Sequence, residues 1–529
     1  MTRPSAKLAA AFLLLVLSCR VTEGLRILGL FPLHGKSHFV MCEALMRGLA
    51  ARGHQVDVYS HFPLKQPVAN YTDFSLAGSI PLLSNSMSFE LMNSFGGDSI
   101  SIPQLLKLGA DPICELLNLP IFQKLLRQPP SDPPYDVVIV ELFLANCYLA
   151  WGRHLNAPTV SVVTTSIFDW LNEPLGNPTN LAVEPSVFSK TIAPMNFYER
   201  LSNVLMSTYV KWSFNYHARS QDAIVKKLFG PDMPDVIELQ KDIALTLVNY
   251  HHALNGLRPY SPAIVPVGGL HVLDSSDPLP KEVQKFMDDS KSGFIYISFG
   301  SMVRIETFPK PMLDAFYKTF AKIAPVRVLM KIAKPEELPA GLPSNVMTQP
   351  WLNQVKVLKH KNIRAFVTHG GLMGTQESIY HGVPMIGVPL FGDQHFNVES
   401  YVKRNMAIKL IREDITEENF GKAVNEILSK PIYKKSAEKA GAMFRDVPMG
   451  PMDTAAFWIE YVARHGKDAL RSPVIDMPWW QAKLYDVYGF LLLLVALALC
   501  VVRIAVKKVC GLFCTKSCPP AKTSKQKKR

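Results

Sequence analysis

Short apolar runs alternate with stretches of helical spacing along most of the chain. The run Arg26–Phe31 is followed by a polar loop, and Phe39, Val40, Cys42, Leu45, Met46 and Leu49 then share one helical face. Ser37 is read as the cap that opens this helix, and Gln55–Ser60 as the next strand. Further strands are expected over 136–140, 294–299, 328–332 and 346–348. The pattern is clearest over 364–397, RAFVTHGGLMGTQESIYHGVPMIGVPLFGDQHFN. There a strand over 365–368 meets His369-Gly370-Gly371, a helix runs to Tyr380, and Gly382-Val383-Pro384 turns into a strand over 385–389. These βαβ units predict an α/β protein, and 529 residues suffice for two domains with separate cores.

The two ends break the pattern. Lys7, an apolar block over 8–17 and the small residues Thr22 and Gly24 are laid out as a secretory signal peptide, so 1–24 is set apart from the fold. Positions 487–506 are apolar except for Arg503, long enough to cross a bilayer, with Trp479, Trp480, Tyr485 and Tyr488 as an interfacial belt. A buried core helix is the alternative. Nine Lys/Arg and no Asp/Glu lie over 503–529, which predicts a cytosolic tail and a lumenal body. Most of the formal charge of +13 therefore belongs to the ends, and nucleic-acid binding is not expected. Of the eight cysteines only Cys42, Cys114 and Cys147 remain in the body, too few for a disulfide framework and without zinc spacing. Cysteines of the anchor and tail are candidates for palmitoylation. Asn70-Tyr71-Thr72 is a glycosylation sequon, usable if the body is lumenal. Pro278 and Pro280 mark a linker over 271–285, between domains over 25–270 and 286–480.

The candidate chemistry sits where strands end. Glycines at 370 and 371 between strand and helix let backbone N–H groups approach a ligand, and the positive helix terminus favours a phosphate. Glu377, about one turn in, is placed to take two ribose hydroxyls, while Asp393 and Gln394 follow the next strand. Gly300-Ser301 closes another strand and offers a second diphosphate contact. His38 stands at a helix start beyond the first strand, where an imidazole suits a general base or a simple cap, with His34 as competitor. Glu141 ends the strand over 136–140 and is readable as its carboxylate partner or as a helix cap. Trp351 offers a flat face to a base or to the core. The apolar and aromatic stretches 79–127 and 172–229, including a helix over 197–228 with Leu201, Val204, Leu205, Tyr209, Trp212 and Phe214, are read as walls of an acceptor pocket, with packing against a membrane as the rival.

The segment 364–397 resembles the signature of the membrane-bound animal UDP-glycosyltransferases, and the similarity extends from about position 25 through the tail. The resemblance implies the GT-B architecture: two Rossmann-like domains facing a cleft, plus one C-terminal transmembrane helix over 485–506. It implies that Ser37-His38-Phe39 carries the base and that Glu141 stands where better-known members have aspartate. It further implies that Trp351 stacks on uracil and Gln354 bonds the nucleoside. His369 and the segment with Gly370, Gly371 and Gly374 meet the diphosphate, Glu377 the ribose, and Asp393 and Gln394 the sugar. Met373 departs from the family, many members having Asn there. The expected partners are UDP-glucose or UDP-glucuronate, with arthropod-like members favouring glucose, and a small lipophilic acceptor. No cofactor and no metal are expected, since the chain lacks an Asp-x-Asp motif. The terminal lysines resemble a retrieval signal of endoplasmic-reticulum membrane proteins, and a homo-oligomer is compatible. Two rival readings remain at this point: a membrane-tethered binding protein for lipophilic ligands, and a glycosyltransferase acting on lipids.

Overall fold

Each half of the chain builds a parallel sheet. The structure is a computed structural model and describes residues 24–94, 101–189, 191–272 and 278–514, so the proposed signal segment and the terminal lysines lie outside it. In the first sheet β1 (Arg26–Phe31), β2 (Gln55–Ser60), β3 (Tyr71–Ser75), β4 (Val137–Glu141), β5 (Thr159–Val163), β6 (Ile243–Val248) and β7 (Ile264–Pro266) lie in the order β3-β2-β1-β4-β5-β6-β7. In the second, β8 (Phe294–Ser298), β9 (Arg327–Lys331), β10 (Val346–Gln349), β11 (Ile363–Thr368), β12 (Met385–Gly387) and β13 (Ala407–Lys409) follow the order β10-β9-β8-β11-β12-β13. Helices cover both faces, so central strands are buried on both sides. That is why β4, β6 and β8, buried at every position, read as apolar runs broken only by Glu141, Thr246 and Ser298.

Strand order reverses between β1 and β4 and again between β8 and β11. Connections leave such a pair towards opposite faces, and a crevice opens beyond the carboxyl ends of the two strands. Helix α1 (Lys36–Ala51) starts at the first crevice. Its cap is Gly35, without a side-chain hydrogen bond, so Ser37 lies inside the first turn and does not cap it. Met41 joins the buried face, whereas Val40 is only half-buried.

Helix α2 (Phe197–His217) departs further from expectation. Five of the six residues assigned to pocket walls, Leu201, Val204, Leu205, Tyr209 and Trp212, are exposed, and only Phe214 is buried. The helix docks through a small, polar face: Asn203 accepts from the Ser186 N–H and donates to the carbonyls of Leu181 and Glu184. The open apolar face is the one that the membrane-packing alternative requires. A short 3₁₀ turn, Ala218–Gln221, separates α2 from a helix over Asp222–Phe229.

Helices α3 (Leu372–Tyr380) and α4 (Gln394–Lys403) follow β11 and β12. Helix α5 (Pro451–His465) returns to the first sheet, where Ala455, Ala456, Ile459 and Val462 pack in one cluster with Ile27, Leu45 and Val58. Arg52 pairs with Asp453, and His54 Nε2 lies 3.2 Å from Glu460 Oε1. Residues 281–288 are helical, so the irregular connection between the sheets stops short of 285.

Two cysteines correct the sequence reading: Cys114 and Cys147 form a disulfide, leaving Cys42 free and buried. A sparse set cannot make a framework, but one pair suffices where the segments Asp111–Glu115 and Asn146–Leu149 come together.

Residues 473–529 form a separate unit. Its helix α6 (Tyr485–Cys514) runs eight residues past the expected limit of 506, through Lys507 and Lys508. The stretch Tyr485–Leu512 is long and apolar enough to cross a membrane.

Candidate active site

Beyond β1 the chain turns through 32–35 into α1, placing His38 in the first helical turn. Glu141, 4% exposed, is the last residue of β4, and Thr164 directly follows β5. His38 Nδ1 lies 2.9 Å from Glu141 Oε1 and 2.7 Å from Thr164 Oγ1. The Thr164 hydroxyl donates to the same carboxylate oxygen at 3.0 Å. A carboxylate only accepts, so Nδ1 carries the proton and Nε2 keeps the lone pair. The additional methylene of Glu141 therefore still lets its carboxylate reach the imidazole. His34 has no such partner: its Nδ1 is buried without a hydrogen bond, its ring packs against His61, and burial lowers its pKa.

Aromatic rings continue outwards from the imidazole. Phe143 stands edge-on to His38 with centroids 4.6 Å apart, Phe168 follows at 5.7 Å, and Trp170 stacks between Phe168 and Phe214. These rings form an aromatic row that Phe214 alone of the six named α2 residues joins.

The second crevice contains little side-chain pairing. Gly300 has φ +76°, and a Cβ there would stand 2.8 Å from the His369 ring. Gly370 has φ +87°, and a Cβ there would meet Val398 Cγ2 at 2.4 Å. Only glycine satisfies both backbone and space at these two positions. Gly371 caps α3 without a side-chain hydrogen bond, leaving the first-turn N–H groups of this helix without a capping side chain. A Cβ on Gly374 would crowd Gln354 Nε2 at 2.9 Å. Ser301 Oγ is buried with no partner. Burial and the positive charge of Lys331 lower the His369 pKa to about 4, so the imidazole is neutral at physiological pH.

Glu377 and Gln354 come together, Gln354 Nε2 donating to Glu377 Oε2 at 2.6 Å. Burial pushes the Glu377 carboxyl up to about 7. Trp351 is 53% exposed, so its ring is not core. Asp393 accepts from Asn397 at 2.9 Å; burial raises its pKa, and that hydrogen bond pulls the other way. Gln394 Oε1 is taken by the N–H groups of Leu390 and Phe391, so it braces that loop. Met373 turns away from the helix terminus, its Sδ lying 3.1 Å from Asn249 Nδ2. Asn70 stands apart, exposed on the turn before β3.

Three residues escaped the sequence reading. Thr164 and Lys331 each follow or end an apolar strand, the polar-after-apolar signal that singled out Glu141. His271, placed in the linker, is fully buried against α3, with Nε2 3.1 Å from the Met373 carbonyl and 3.7 Å from Glu377 Oε1. Burial lowers its pKa to about 4. Nothing in its flanking residues marks it.

A family profile described as UDP-glucoronosyl and UDP-glucosyl transferase matches residues 116–523. The chain is 35% identical over 510 residues to UDP-glucosyltransferase 2 of Dactylopius coccus, covering 96% of both proteins. It is 32% identical over 507 residues to UDP-glucuronosyltransferase 2A3 of Mus musculus, covering 91% of both. The crystal structure of glycosyltransferase VinC in complex with DTDP shares the fold, with a TM-score of 0.55 over 84% of this chain and all of that one at 16% identity. Two parallel Rossmann-like sheets, a glycine-lined helix terminus and this extent of sequence identity agree: the chain belongs to the UDP-glycosyltransferase family and is a GT-B enzyme that uses a UDP-sugar.

Proposed function

We propose that the protein transfers glucose or glucuronate from the UDP-sugar to a hydroxyl of a small lipophilic acceptor, with inversion at the anomeric carbon. The observation that supports this most is the hydrogen-bonded set His38, Glu141 and Thr164 at the mouth of an aromatic wall. Nε2 of His38 takes the acceptor proton as the acceptor oxygen bonds to C1; the bond from C1 to the phosphate oxygen breaks, and UDP leaves with its electron pair. Glu141 stabilises the imidazolium that forms. The leaving diphosphate is met by the α3 terminus, Ser301 and His369, without a divalent cation. Trp351 takes the uracil face, Glu377 and Gln354 the nucleoside, and Asp393 the sugar hydroxyls. An acidic group there suits a neutral sugar better than a carboxylate, so UDP-glucose is the favoured donor.

The disulfide suits an oxidising compartment, and the single long apolar helix suits an anchor. We place the enzyme in the endoplasmic-reticulum membrane with its catalytic body lumenal and Asn70 open to glycosylation. The test is UDP release by the full-length protein in membranes, with a panel of phenols and UDP-glucose set against UDP-glucuronate. Turnover with at least one phenol, faster with UDP-glucose, is expected. Silence with every pair would support the non-catalytic binding protein instead, and labelled lipid as the sole product would identify a lipid glycosyltransferase.

A further inference from the structure

Lys331 ends β9 beneath the donor crevice and is 4% exposed. Its ammonium donates to the Gly300 carbonyl at 3.0 Å and to Asn85 Oδ1 at 2.8 Å, and it lies 5.8 Å from the centre of the Trp351 ring. Both acceptors are neutral. Among the described residues no carboxylate forms an ion pair with it; Glu306, whose charge it feels, is paired with Arg304 through Oε1. Burial lowers its pKa to about 8. A buried cation without an anion is costly, and proteins keep such groups where a ligand supplies the missing charge.

Apart from these two neutral acceptors, unused donors adjoin it. Ser301, whose hydroxyl is buried and unpartnered, adjoins Gly300, and the charge of Lys331 is felt by His369. We infer that Lys331 binds the diphosphate of the nucleotide sugar and neutralises the charge that develops on UDP as it departs. This rests on the donor reading above. It also explains how the site tolerates Met373, whose side chain is turned towards Asn249 and gives the phosphates nothing.

Asn85 is the positioning residue, and it comes from the other half of the enzyme. The segment around it runs beside the loop after β8: the Asn85 N–H donates to the Ser301 carbonyl at 2.8 Å, Met87 N–H to Met302 at 3.0 Å, and Arg304 N–H back to Met87 at 3.0 Å. The Phe89 N–H donates to Thr307 Oγ1 at 2.9 Å. This strap holds the Asn85 amide against the lysine, so the cation is set for the donor only while the two halves are joined.

The test is calorimetric titration of the full-length protein in detergent with UDP, UMP and uridine, for wild type, Lys331→Met, Lys331→Gln and Asn85→Ala. The wild type should bind UDP. Both Lys331 variants should bind UDP at least about 30-fold more weakly, UMP only a few-fold more weakly and uridine unchanged. Asn85→Ala should weaken UDP about fivefold with uridine unchanged. UDP affinity retained in either Lys331 variant, or uridine lost in parallel with UDP, would overturn the assignment. A wild type that binds neither UDP nor uridine would instead overturn the donor reading on which it depends.

Discussion

The two crevices arise from the same topology and are furnished in opposite ways. At the β1/β4 reversal the polar side chains already satisfy one another: His38, Glu141 and Thr164 form a closed set before any substrate arrives. At the β8/β11 reversal the polar groups wait: Ser301 Oγ has no partner, Lys331 has no anion, and the α3 terminus has no capping side chain. A group that must move a proton needs a fixed tautomer, which side-chain partners provide. A site for a polyanion needs unused donors, which glycines expose. On the proposed reading, one scaffold separates chemistry from donor binding.

Mutations should divide along the same line. His38→Ala is expected to lower kcat about 10³-fold while the UDP affinity measured by calorimetry stays within about twofold. Glu141→Gln should reduce kcat about 100-fold, because an amide fixes the tautomer poorly and cannot stabilise the imidazolium. In the other crevice Gly370→Ala should act on binding: UDP affinity should fall about 30-fold and the melting temperature should drop, since the left-handed backbone and Val398 cost about 2 kcal/mol or more together.

Glu377 gives a pH signature. Its carboxyl sits at about 7 when buried in the free protein, above its ordinary value of 4.5. The protonated form therefore favours folding below 4.5, and that contribution is lost as pH rises through about 7. Ribose hydroxyls need the ionised form, so UDP should bind about tenfold more weakly at pH 6 than at pH 8. Glu377→Gln should flatten that part of the slope, leaving only the titration of the nucleotide itself. The smallest effect expected is for Thr164→Val, about fivefold in kcat, because the hydroxyl only steadies the Glu141 carboxylate that itself holds the imidazole.

The α/β fold was legible because doubly covered strands leave near-continuous apolar runs, and the glycine-lined corner because backbone and contact force glycine at Gly300 and Gly370. The outward-facing stripe of α2 was not, since an apolar helix face reads alike whether it meets a pocket, a bilayer or water. The Cys114–Cys147 pair was hidden because spacing along the chain says nothing about meeting in space. His271 and Lys331 were missed for a related reason: one is buried with its Nδ1 unpartnered and the other without an anion, which are properties of the folded chain.

The proposed mechanism requires a nucleotide diphosphate to rest where β11 passes into α3, opposite His38. A crystal structure of the enzyme with UDP tests it most directly. Phosphate oxygens are expected within hydrogen-bond reach of the α3 first-turn N–H groups and Ser301, with the uracil on Trp351. Side chains packed into that corner, with UDP bound elsewhere, would contradict it.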